Sequence, residues 1–118
     1  MNLLESIWNG ICNFISEIVD FVIEVIQGIF NFAKYVIQYF KDKVLDRLRH
    51  KPFIGNANKF PQNIKEMIKN APQKDVGIFR GVYDEQADEI TDFNIVESYA
   101  VDEETEQVLG NEALVVLR

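Results

Sequence analysis

The side chains able to do chemistry are few and widely spaced. The chain of 118 residues holds one imidazole, His50, and one thiol, Cys12. Nucleophilic catalysis requires a nucleophile within hydrogen-bond reach of an oriented base. On a continuous helix these two residues would lie about 57 Å apart along the axis. His50, in a run of basic residues, instead suits the carbonyl end of a helix, and Cys12 reads as a small apolar side chain. Carboxylates are plentiful between Asp84 and Glu106, and Asp84, Asp88 and Asp92 recur every four residues. The run lacks the alternating acids, central glycine and closing glutamate of a calcium-binding loop, so it reads as a solvated acidic face. Gly77 and Gly81 fall within a predicted strand rather than at a strand-to-helix turn, so they form no phosphate cradle. The expectation is a non-enzyme with no cofactor and no metal. A catalytic site would have to gather Tyr83, Tyr99, Arg80 and a carboxylate into one cleft.

Charge is sorted along the chain. The net charge of −7 is made of a mildly acidic first third, a basic stretch from Lys41 to Arg80, and a strongly acidic stretch from Asp84 onward. The basic stretch would attract a polyanion, but the acids that follow oppose one, and the aromatics among the bases are limited to Phe53, Phe60 and Phe79. Nucleic acid is therefore not the expected partner. Asp84, Glu85, Asp88, Glu89, Asp92, Glu103, Glu104 and Glu106 are the candidates for presentation to a basic protein surface.

The elements that would position these groups are dominated by the first fifty residues. From Asn2 to Asp42 the polar residues fall on one stripe of a 3.6-residue spiral, an arc of roughly 120°, leaving roughly 240° to Ile, Val, Phe, Leu and Trp. The stripe keeps its phase across Gly10 and Gly28, which predicts one helix over 3–50, closed by Pro52. Residues 51–60 read as a loop and 61–70 as a short helix with Ile64, Met67 and Ile68 on one side. Beyond Lys74 the period shifts toward 2, predicting strands at 76–83, 93–101 and 113–118. Asp102, with acids after it and Gly110 at its end, predicts a short helix between the last two strands. The expected fold class is thus α+β and helix-dominated. It comprises a long amphipathic N-terminal helix (1–50), a basic loop and short helix (51–75) and a small three-stranded acidic β module (76–118), in one structural unit.

A helix apolar over two-thirds of its circumference needs a cover. The composition, 47% hydrophobic and 26% charged, is that of a globular chain. The N-terminus lacks the basic opening of a secretory signal, and acids interrupt the apolar run, so a cytoplasmic location is expected, with a membrane surface as the alternative contact. The leading reading is an assembly or adaptor protein that homo-oligomerises, as a dimer or a higher helical bundle, through Trp8, Ile11, Ile15, Val22, Ile26, Phe30, Ala33 and Ile37; the alternative is a membrane-associated or membrane-permeabilising protein using the same residues. On the leading reading the purified chain forms a discrete oligomer without detergent, and Ile26→Asp dissociates or unfolds it, as measured by light scattering on a size-exclusion column.

Overall fold

The computed structural model describes residues 2–17, 23–68 and 76–117. Its centre is a five-stranded mixed sheet in the order β1-β4-β3-β2-β5. In chain order the strands are β1 (Ile23–Val25), β2 (His50–Asn56), β3 (Val76–Asp84), β4 (Glu89–Ser98) and β5 (Leu114–Val116). β3 is antiparallel to both β2 and β4, β5 is antiparallel to β2, and β1 lies parallel to β4 at the far edge.

Three expectations are corrected here. The molecule is not helix-dominated, its strand module has five strands rather than three, and it is not a helical bundle. The continuous helix over 3–50 is replaced by α1 (Leu3–Glu17), the edge strand β1, and a π-helical turn (Ala33–Ile37) that continues as α2 (Gln38–Phe40). α1 begins at Asn2, whose Oδ1 accepts the Glu5 backbone N–H at 2.8 Å, a side-chain cap on an otherwise orphaned donor. The segment Ile23-Glu24-Val25-Ile26 keeps the helical phase of the polar stripe, yet it is rich in β-branched residues that fit a pleated surface. Its pairing with Ile95, Val96 and Glu97 prevails because β4 offers a free edge.

Alternation along the strands sends neighbours to opposite faces, so the sheet has two cores. On one face Ile7, Ile11 and Ile15 of α1 pack on Phe53, Phe79, Tyr83, Ile90, Phe93 and Ile95. On the other, Phe30, Val36 and Phe40 pack on Ile54, Ile78, Val82 and Val96. β2 is covered on both sides, with Phe53 and Ile54 both fully buried. A strand buried on both faces shows no alternation, and with Pro52 and Gly55 inside it this stretch falls at the end of the expected helix (His50) and in the expected loop 51–60. β4 likewise begins at Glu89 and not near Phe93, because the β3–β4 connection is a short turn of residues 85–88.

Elsewhere local signals hold. α3 (Gln62–Met67) follows Pro61, while residues 69–75 lie outside the described chain. α4 (Glu103–Leu109) is capped by Asp102, whose side chain accepts the Thr105 N–H, and is closed by Gly110 at φ 56°. This short acidic helix was legible from its cap and its closing glycine.

Register is pinned by two glycines that face aromatic rings across the β2–β3 pair. Phe53 lies opposite Gly81, and Gly55 lies opposite Phe79. A Cβ on Gly55 would sit 2.0 Å from Phe79 Cζ and 2.3 Å from the Ala113 carbonyl oxygen, and one on Gly81 would sit 2.6 Å from both Phe53 Cζ and the Asp92 carbonyl oxygen. Gly28, by contrast, has nothing within 4 Å. Gly55→Ala is therefore expected to destabilise the fold by about 3 kcal/mol, and Gly28→Ala to stay within about 0.5 kcal/mol of the parent, in urea titrations followed by circular dichroism.

Candidate functional site

The predicted interface residues separate once the helix is divided. Ile11, Ile15 and Phe30 are buried in the two cores, and Trp8 and Ile26 are partly buried against them. Val22 lies outside the described residues. Ala33 and Ile37, four residues apart on one side of the 33–40 helical segment, are exposed. Of the acidic candidates, Glu85, Asp88 and Glu89 are exposed around the β3–β4 turn and Glu103, Glu104 and Glu106 are exposed on α4. Asp84 and Asp92 are committed to contacts within the molecule.

Asp92 belongs to a polar network between the 33–40 segment and the sheet. Arg80 projects from β3 into the Val36 side of the sheet, where its Nε donates to Asn94 Oδ1 at 2.8 Å, Nη1 to the Tyr35 carbonyl at 2.6 Å and Nη2 to Glu24 Oε2 at 3.3 Å. Its guanidinium stacks 3.7 Å from the centre of the Tyr39 ring, and Tyr39 donates its hydroxyl proton to Asp92. Burial, then the Asp92 carboxylate, push the Tyr39 phenol upward, and burial pulls Arg80 downward. The fork of Arg80 is spent on three acceptors from three segments, which makes it a clamp holding the helix on the sheet. Tyr83 lies on the opposite face, in the α1 core, and Tyr99 is exposed, so Arg80, Tyr83 and Tyr99 do not meet in a cleft.

A second network fixes the chain between α2 and β2. Arg49 donates Nη2 to Asp84 Oδ2 at 2.6 Å and Nε to both carboxylate oxygens at 3.1 Å. Asp84 Oδ1 also accepts the backbone N–H groups of Gln86 and Ala87 at 3.0 and 3.1 Å. The Arg49 hydrogen bonds, joined by those backbone donors, hold the Asp84 carboxyl at about 2. His50 Nε2 stands 3.7 Å from the same carboxylate, and its Nδ1 accepts the Asp46 N–H at 3.1 Å. Both imidazole nitrogens thus face local partners and no nucleophile. Cys12 lies elsewhere, its sulfur accepting from Asn63 Nδ2 at 3.6 Å. Among the described residues no three His, Cys, Asp or Glu side chains are grouped as a metal site.

What these networks frame is a groove of about 1140 Å³ beside the start of β2. Phe32, Val36, Ile37, Phe40 and Val44 form one apolar wall, and Pro52, Val116 and Leu117 come from the edge of the sheet. Leu3 reaches it from α1 and Val108 from α4. Its charged members are Lys41, Arg47, Lys51 and Glu85, and His50 lies among them. Lys51 is tethered to the Arg47 carbonyl at 3.1 Å and stands 3.9 Å from Glu85. Just outside, Leu45 and Leu48 are 81% and 83% exposed, and Ile37 at the groove is 56% exposed. The sequence carried half of this signal in the basic run 41–51; the apolar half comes from segments distant in the chain.

No known protein family, curated protein or solved structure matches this chain. No helix among the described residues is long and apolar enough to cross a membrane.

The Asp84 carboxyl is depressed from its unfolded value, so the stability it contributes is present above about pH 4 and is lost as pH falls toward about 2. Thermal melts between pH 6 and 2 are expected to show this loss in the parent. In Asp84→Asn the melting temperature starts lower at neutral pH, and the gap to the parent closes toward pH 2. A gap that stays constant with pH would contradict the assignment.

Proposed function

We propose that this protein is a non-enzymatic interaction module, an assembly or adaptor protein whose receiving site is the groove beside the start of β2. The observation that carries the reading is the pairing of an extended apolar wall with a cationic rim, Lys41, Arg47 and Lys51, on a chain whose net charge is −7. Such a groove suits a segment of a protein that is apolar on one side and carboxylate-bearing on the other. The apolar strip supplies affinity through burial, and the cations select sign and register. Exposure of Leu45 and Leu48 beside it supports contact beyond the groove itself, because large side chains so open to water mark sites of association.

The non-enzymatic part of the proposal is supported by how the reactive groups are spent. His50, Asp84, Arg80, Tyr39 and Asp92 are engaged with one another or with the backbone and frame no reactant site. The exposed acids on the β3–β4 turn and those on α4, which lie before and after β4, are available to a basic protein partner.

The test uses fluorescein-labelled twelve-residue peptides, one alternating Leu with Glu and one alternating Leu with Lys, read by fluorescence anisotropy. The Leu/Glu peptide is expected to bind, more weakly as salt rises, and Arg47→Glu combined with Lys51→Glu is expected to weaken it about tenfold. Equal binding of the two peptides, or no effect of the double substitution, would overturn the groove as the receiving site.

A further inference from the structure

The two oppositely charged surfaces are held at the two ends of one short helix. Asp102 Oδ2 accepts the Phe32 N–H at 3.0 Å, which ties the start of α4, and with it Glu103 and Glu104, to the beginning of the 33–40 segment. The other end of that segment runs directly into Lys41, Lys43 and Arg47. The eight-residue segment between them is only about 12 Å long. Between them Ala33 and Ile37 are exposed, flanked by exposed Lys34 and Gln38, and Leu45 and Leu48 are exposed beyond the basic end.

A surface that is acidic at one end, apolar in the middle and basic at the other complements itself under a two-fold rotation. The operation reverses the helix direction and sets each acidic end against the other copy's basic end, and it also opposes the helix dipoles favourably. A foreign partner would need both arms at the same spacing. A second copy has them by construction.

Resting on the groove reading above, we propose that this face is a two-fold interface between copies of the chain. The 33–40 segments lie antiparallel across the axis, and Glu103 and Glu104 of each copy meet Lys41, Lys43 and Arg47 of the other. Ile37, Leu45 and Leu48 are covered on assembly. Of the apolar residues expected from the sequence this interface uses Ala33 and Ile37, because Trp8, Ile11, Ile15, Ile26 and Phe30 are already packed in the two cores of the sheet.

The test is sedimentation of the full chain from about 10 μM to about 1 mM, a range that spans weak to moderate dimers. The parent is expected to dimerise, and less so at high salt. The basic-arm variant, Lys41→Glu with Arg47→Glu, and the acidic-arm variant, Glu103→Lys with Glu104→Lys, are each expected to dimerise at least tenfold more weakly. An equimolar mixture of the two is expected to recover association to within about threefold of the parent, since every like-charge contact becomes an attractive one in the mixed dimer. Leu45→Ser with Leu48→Ser, at positions too exposed to affect folding, is expected to weaken the dimer by a similar factor and covers the case in which a charge-reversed variant fails to fold.

A parent that stays monomeric to about 1 mM yet binds the Leu/Glu peptide would overturn the two-fold interface and leave the groove reading intact. Monomer without peptide binding would overturn both. A dimer indifferent to all three variants would place association on another face and also overturn the inference. So would a monomer that floats with vesicles of about one-third phosphatidylserine, because lipid would then be what covers Leu45 and Leu48.

Discussion

Both faces of the central sheet are apolar, and one chain of 118 residues has to cover them. That constraint decides the fate of the N-terminal fifty residues. A single straight rod can lie on only one face, so it would leave Ile54, Ile78, Val82 and Val96 in water and keep much of its own circumference exposed. Divided at β1, the same residues supply Ile7, Ile11 and Ile15 to one side and Phe30, Val36 and Phe40 to the other. Each deeply buried side chain of this size contributes about 1.5–3 kcal/mol, so the division is favoured by many such contributions against the loss of a few helical hydrogen bonds.

Polar anchoring follows from this arrangement. The 33–40 segment is too short to be stable by itself, and it is held by the packing of Val36 and Phe40 together with the Arg80 fork and the Tyr39–Asp92 hydrogen bond. At the other end of the segment, Arg49 and Asp84 lock the chain as it enters β2. Between the two anchors the backbone from Lys41 to Leu48 is left on the outside with Leu45 and Leu48 in solvent. The groove and its basic rim are thus a by-product of how the second core is closed, and they bring Lys41 and Arg47 next to Leu45 and Leu48, the most exposed large apolar side chains among the described residues.

Much of the C-terminal half was legible from local chemistry. β3 shows its strand character in Val-Gly-Ile-Phe-Arg-Gly-Val-Tyr, and α4 is announced by Asp102 and Gly110, because caps and turns act over three or four residues. The N-terminal half was misleading for a physical reason. A polar stripe at helical spacing reports which residues avoid the core, and the residues from Ile23 to Ile26 satisfy that spacing equally well as an edge strand. β2 was hidden because burial on both faces erases the alternation by which strands are recognised, and Pro52 and Gly55 imitate a loop. Of the proposed interface, Ala33, Ile37, the acids of α4 and the basic run holding Lys41 and Arg47 were in view from the sequence, whereas Leu45 and Leu48 had no apparent role until the helix was seen to end at Phe40.

Sequence by itself determined how much apolar surface needed cover, where the charges concentrate and where the short capped elements begin and end. These are properties of composition and of contacts a few residues apart. Tertiary structure alone decided that the cover is the chain's own sheet, that Phe53 and Phe79 seat over Gly81 and Gly55, and that an acidic cluster (Glu103, Glu104) and a basic one (Lys41, Arg47), far apart in the chain, flank one helix. Those outcomes depend on competition between distant pairings for the same buried space, and no local pattern records which pairing wins.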